Sequence, residues 1–124
     1  MLNAMKIMTF VPTRNPEAAR SFYEKTLGLR FLSDDKFALI FDANGIILRL
    51  SRVPEFKPDP FTILGWEVLD IQTAVAELQT KGVQFEKYGF PGQDEHGIWT
   101  APGGTRVAWF KDPDGNVLSL TQFV

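Results

Sequence analysis

A chain of 124 residues, 44% hydrophobic and 23% charged, has the length and make-up of one globular domain, which excludes a disordered or fibrous protein. Its net charge of −2, from 13 basic and 15 acidic side chains dispersed along the chain, leaves no electrostatic footprint for nucleic acid or an anionic membrane. With no cysteine and one histidine, His96, it has no disulfide or thiolate ligand and lacks the two or three imidazoles that most zinc, iron or nickel sites use.

In chain order, the N-terminal MLNAMKIMTF lacks the long apolar run and small-residue cleavage signal of a secretory leader. No later segment reaches the roughly 20 apolar residues of a membrane helix. A cytoplasmic protein is expected. A strand is predicted over Lys6–Thr13, then a helix that Asn15 caps and Pro16 opens, with Ala19, Phe22, Tyr23 and Leu27 at near-helical spacing and Gly28 as its stop. Strands follow over Arg30–Ser33, Lys36–Asp42 and Ile46–Ser51, the last two joined by an Asn44-Gly45 hairpin turn. Pro54, Pro58 and Pro60 then interrupt any ladder and mark a linker over residues 53–60.

The second half repeats the pattern. A strand over Phe61–Leu69 leads to a helix capped by Asp70, in which Ile71, Ala74, Val75 and Leu78 recur and Gly82 is the stop. Strand-like runs over Val83–Lys87, Ile98–Thr100, Arg106–Lys111 and Val117–Gln122 follow, the last two joined through Asp112-Pro113-Asp114-Gly115-Asn116. Each half therefore reads β-α-β-β-β: an α+β domain over 1–124, made of one module over about 5–52 and a second over about 61–122.

Alternation assigns faces. About the Asn44-Gly45 turn, Phe37, Leu39 and Phe41 share a helix-covered face with Ile46, Leu48 and Leu50, while Ala38, Ile40 and Asp42 share the other with Ile47, Arg49 and Ser51. In the last hairpin Phe110 opposes Leu118 and Trp109 opposes Ser119, with Trp109, Ser119 and Thr121 away from the helices. Trp66 is assigned to the core. The second faces mix Met8, Phe10, Ile40, Ile63 and Trp109 with Arg49, Glu67 and Ser119, an apolar surface with a few polar groups that suits a small-molecule site. Gly65, Ala38 and Ser119 leave room there, against a module whose cavity is filled by its own side chains.

The stretches ARSFYEKTLGLRF, WEVLDIQTAVAELQTKGV and FKDPDGNVLSL together resemble the vicinal oxygen chelate superfamily, which includes glyoxalase I, extradiol dioxygenases, fosfomycin-resistance proteins and bleomycin-binding proteins. The resemblance covers nearly the whole chain. It implies two βαβββ modules whose mixed sheets curve around a cavity, commonly in a homodimer, and in the metal-dependent members four ligands from the first and last strands. Those four positions fall here on Met8, Arg49, Ile63 and Ser119, none of which supplies a hard-metal ligand.

A metal-free small-molecule binding protein is therefore expected, with Met8, Phe10, Ile40, Arg49, Ile63, Glu67, Trp109 and Ser119 as ligand-binding candidates and no cofactor. Arg49 would either clamp an anionic group of an aromatic ligand or pair with Glu67 across the same face. The alternative is an enzyme: a lyase or dioxygenase of the glyoxalase I type with a divalent metal at a non-standard site, for which Gln93-Asp94-Glu95-His96 is the sole cluster, or a metal-free enzyme with Glu67 as general base.

Overall fold

The computed structural model describes residues 1–124, which divide into two compact units, Met1–Lys57 and Pro58–Val124. No helix is long and apolar enough to cross a membrane.

In the first unit a single turn of 3-10 helix over Leu2–Ala4 precedes β1 (Met8–Thr13), then α1 (Pro16–Ser21), β2 (Arg30–Asp34), β3 (Ala38–Ala43) and β4 (Ile46–Arg52). The sheet order is β1-β4-β3-β2, with β1 parallel to β4 and the other pairs antiparallel. The Asn15 side chain accepts a hydrogen bond from the Ala18 N–H at 3.3 Å, capping α1, and Glu17 stands in its first turn. Phe22–Thr26 continues α1 as a wider π-helical turn in which the Leu27 N–H bonds to the Phe22 carbonyl. The chain then leaves through Gly28 at φ 77°, while the Leu29 N–H reaches back to the Tyr23 carbonyl. These turns bury Ala19 and Tyr23 against Val11, Leu39, Phe41, Leu48 and Leu50, which form the core of this unit. Tyr23 and Phe31 both pack on Phe41, with ring centroids 6.2 and 5.5 Å away.

The expected hairpin register holds: Ala38 pairs with Ser51, Ile40 with Arg49 and Asp42 with Ile47. Asn44 at φ 52° and Gly45 at φ 92° make the turn, and the Asp42 carboxylate accepts from the Gly45 N–H at 2.7 Å. Phe37 departs from its expected place on the covered face and is 78% exposed. The cause is the preceding turn. The Asp34 carboxylate accepts from the Lys36 N–H, Asp35 accepts from the Phe37 and Ala38 N–H groups, and Lys36 takes φ 75°, so the regular ladder starts only at Ala38. Ile46, also expected on the covered face, sits at the hairpin tip and is exposed.

That turn is clamped to β4. Arg52 grips both oxygens of Asp34 at 2.7 and 2.8 Å, and the hydrogen bonds from the Arg52 guanidinium, ahead of the one from the Lys36 N–H, hold the Asp34 carboxyl at about 2. A folded-state value below the unfolded one gives a contribution present above pH 4 and lost as pH falls toward 2. Arg52→Met should therefore melt below the parent at pH 6, and the gap should close by pH 2. A gap independent of pH would show that Arg52 acts through packing alone.

The second unit contains β5 (Thr62–Glu67), α2 (Ile71–Thr80), β6 (Trp99–Thr100), β7 (Arg106–Lys111) and β8 (Val117–Gln122), in the sheet order β5-β8-β7-β6. Again the first and last strands pair in parallel. Asp70 caps α2 through the Thr73 N–H at 3.2 Å, and the Gln122 side chain accepts from the Ile71 N–H, tying the helix start to β8. Ile71 and Val75 are buried from α2, with Val83, Phe85, Ile98, Ala108, Phe110, Leu118 and Leu120 completing the core. Each unit is thus a βαβββ module, and the fold is α+β with two four-stranded mixed sheets.

The run Val83–Lys87, expected as a strand, makes one bridge, Phe85 to Phe110, and one further bond from the Glu86 N–H to the Trp109 carbonyl. It meets β7 beside one end of that strand, while β6 pairs farther along the same edge at Val107 and Arg106. One edge of β7 is thereby shared between two short segments, and the 88–98 loop connects them.

Candidate functional site

Register places the sequence candidates on the faces expected for them, within each unit, except Ile63, which falls at the irregularity between Thr62 and Leu64 and has no register partner. In the first, Phe10 and Ile40 both pair with Arg49, and Met8 with Ile47, so these side chains lie on the face opposite Tyr23. Phe10 is 61% and Met8 46% exposed, whereas Ile40 is buried. Arg49 forms its ion pair with Asp35 at 2.8 Å, not with Glu67 as one sequence reading had it. The reason is the bulge between Phe31 and Ser33, which shifts β2 and delivers the Asp34-Asp35 turn onto β4. The Arg49 hydrogen bond, ahead of the Ala38 N–H, lowers the Asp35 pKa.

In the second unit Gly65 pairs with Ser119, Trp109 with Ser119 and Glu67 with Thr121. Ser119 is buried because Gly65 admits it: a Cβ at position 65 would lie 2.8 Å from the Ser119 hydroxyl oxygen. Trp66 pairs with Leu120 on the covered face and is half-buried. Glu67 stands exposed.

Trp109 is the hub of a ring cluster that sequence reading found only in part. Tyr88 and Phe90 approach it nearly edge to face, with centroids at 5.5 and 5.8 Å and interplanar angles of 67° and 81°, and Trp99 lies 6.1 Å away. Tyr88 and Phe90 touch each other at 5.4 Å. Beside them opens a pocket of about 390 Å³ lined by Pro60, Phe61, Thr62, Tyr88, Phe90, Trp109 and Val117. Phe90 also borders a second depression, with Pro91, Trp99, Thr100 and Pro102. The signal for Tyr88, Phe90 and Trp99 was their concentration in a Gly- and Pro-rich stretch, where aromatic side chains have little core to enter.

Gln93 holds this loop in shape. Its amide oxygen accepts from the Tyr88 and Gly89 N–H groups at 2.8 and 3.2 Å, and its nitrogen donates to the Glu86 and Gly97 carbonyls, both at 3.0 Å. Asp94 accepts from the His96 and Ile98 N–H groups, each at 2.9 Å. The indole N–H of Trp99 donates to the Pro91 carbonyl at 3.0 Å. Gln93 and Asp94 are therefore occupied as backbone staples, and the Gln93–His96 stretch is a turn; its exposed His96 lies 3.7 Å from Glu95. Burial, and secondarily the charge of Glu86, raises the Tyr88 pKa, so the phenol stays protonated across the neutral range.

The residues present do not fit a divalent metal. A thioether at Met8, a guanidinium at Arg49, a hydrocarbon at Ile63 and a tucked-in hydroxyl at Ser119 are not a hard-cation donor set, and nowhere in the chain do three His, Cys, Asp or Glu side chains gather.

Two βαβββ modules in tandem define a class, and the sequence agrees: residues 6–120 match the model of the Glyoxalase/Bleomycin resistance protein/Dioxygenase superfamily. The chain belongs to that family. Among solved structures it is similar to a superfamily member from Sphaerobacter thermophilus, at 25% identity and a TM-score of 0.76 over 98% of this chain and 100% of that one. It is also similar to a glyoxalase/bleomycin resistance protein/dioxygenase from Nocardioides, at 21% identity and 0.72 over 96% and 83%. A lactoylglutathione lyase from Agrobacterium tumefaciens shares the fold at 16% identity and 0.70 over 95% and 93%. No curated protein sequence matches.

Proposed function

We propose that this chain binds a planar small molecule, without a metal ion, on the open sheet face of its second unit. The observation that carries this reading is the cluster of Tyr88, Phe90 and Trp109 beside a pocket of about 390 Å³, since rings inclined at 67° and 81° to Trp109 offer a flat ligand both a face and edges. Ile63, Glu67 and Ser119, in the same unit, remain candidates for contacts to the same ligand. The test is a screen of bicyclic aromatic compounds by the indole N–H resonances of the three tryptophans. Saturable shifts at Trp109 are expected, with affinity weakened at least about tenfold in Trp109→Leu. Shifts of equal size in the variant's remaining indoles and an unchanged affinity would sink the reading.

The proposal extends to a cytoplasmic homodimer. Met1, Leu2, Met5, Ile7, Met8 and Phe10 are all substantially exposed along one short segment, more apolar surface than a lone chain readily carries. Sedimentation at micromolar concentration should give about twice the 14.0 kDa chain mass, and Ile7→Glu with Phe10→Glu should halve it. A parent protein that sediments as a monomer refutes this.

A further inference from the structure

The polar groups of the ring-lined pocket carry a second message. None of its seven lining residues is charged. The hydroxyls of Thr62 and Tyr88 and the indole N–H of Trp109 make no hydrogen bond within the chain, whereas the equivalent N–H of Trp99 is satisfied by Pro91. The basic group nearest by register is Lys111, which pairs with Val117 across the hairpin, but its ammonium is engaged by Glu86 at 3.5 Å.

We propose that the pocket selects an uncharged planar molecule bearing a hydrogen-bond acceptor, a ketone or ring carbonyl, which the unpartnered donors of Thr62, Tyr88 and Trp109 recognise. This rests on the ligand-binding reading above and names the chemical class for that site. An indole N–H only donates, and a hydroxyl can donate while it also accepts, so three such groups are best matched by an acceptor. A carboxylate entering the same apolar walls would lose its water shell with no cation among the lining residues to replace it. A carbonyl loses less on desolvation and regains it through hydrogen bonds.

Four probes with similar rings separate the possibilities: 2-acetylnaphthalene, naphthalene, 2-naphthoate and N-methylquinolinium, each titrated while the Trp109 indole resonance is followed. The ketone is expected to bind about tenfold more tightly than the carboxylate or the cation. Tyr88→Phe and Thr62→Val should each weaken the ketone by about three- to tenfold and leave naphthalene unchanged, because the rings and walls stay in place. A carboxylate or cation that binds as tightly as the ketone overturns the charge preference while the ring site stands. Equal affinities for ketone and naphthalene, with both variants silent, overturn the acceptor. If no probe moves Trp109, the ligand-binding reading itself fails.

Discussion

Asp112→Ala is expected to destabilise the protein by about 2–5 kcal/mol, measured as a shift of the urea unfolding midpoint at constant slope. Asp112 is 6% exposed, and its carboxylate accepts from the Asp114 N–H at 2.9 Å, the Asn116 N–H at 3.0 Å and the Asn116 side-chain amide at 2.9 Å. The main chain closes around the same residue: its N–H bonds to the Asn116 carbonyl and its own carbonyl accepts from Gly115, which takes φ 90°. Alanine would remove the acceptor of all three of these hydrogen bonds at a turn where Asn116 is only 3% exposed. Asp112→Asn should fall between the two. It keeps one oxygen for the backbone donors but sets an amide NH₂ against that of Asn116. An alanine variant within about 0.5 kcal/mol of the parent would show that the turn is held by its backbone alone.

Phe110→Ala is expected to cost about 3–5 kcal/mol. The ring is fully buried, stacks edge to face on Phe85 at 5.4 Å, and belongs to a strand bonded on both edges, so the neighbours cannot collapse into the space it leaves. Phe85 is 8% exposed and sits at the less regular edge of β7, and Phe85→Ala should cost less than Phe110→Ala. In a double-mutant cycle the two should be coupled by about 0.5–1.5 kcal/mol beyond their separate losses. Additive losses would mean that the two rings fill the core independently.

Much of this architecture was readable from residue order because it rests on local rules. Alternation with a two-residue turn determined which of Ala38–Asp42 face Ile47–Ser51, and the Asn15 and Asp70 caps with Gly28 and Gly82 bounded both helices. The misplacements occur where a side chain overrides the pattern. Phe37 left the covered face because two neighbouring aspartates captured the backbone N–H groups ahead of it. The partner of Arg49 depended on a bulge in β2, which alternation does not encode. Val83–Lys87 had strand-like composition, but it shares its partner edge with β6 and is left with a single bridge.

The candidate site divides in the same way. Trp109 and Ser119 followed from pairing across a hairpin, so their face was readable. Tyr88, Phe90 and Trp99 were not, since their positions depend on how a loop with three positive-φ glycines, Gly89, Gly92 and Gly97, folds back on the sheet. Periodicity says nothing about such a path. The polar residue that determines it, Gln93, looked like a metal ligand when read by residue type alone.

The four hydrogen bonds of Gln93 bear on affinity as well as shape. A loop that orders only when its ligand arrives gives up part of the contact energy to lost freedom, at roughly 0.5–1.5 kcal/mol for each immobilised side chain. Here the backbone at Tyr88 and Gly89 is anchored by the Gln93 amide oxygen. The rings are preorganised during folding, and on the proposed reading contact with a flat ligand would appear more fully as affinity.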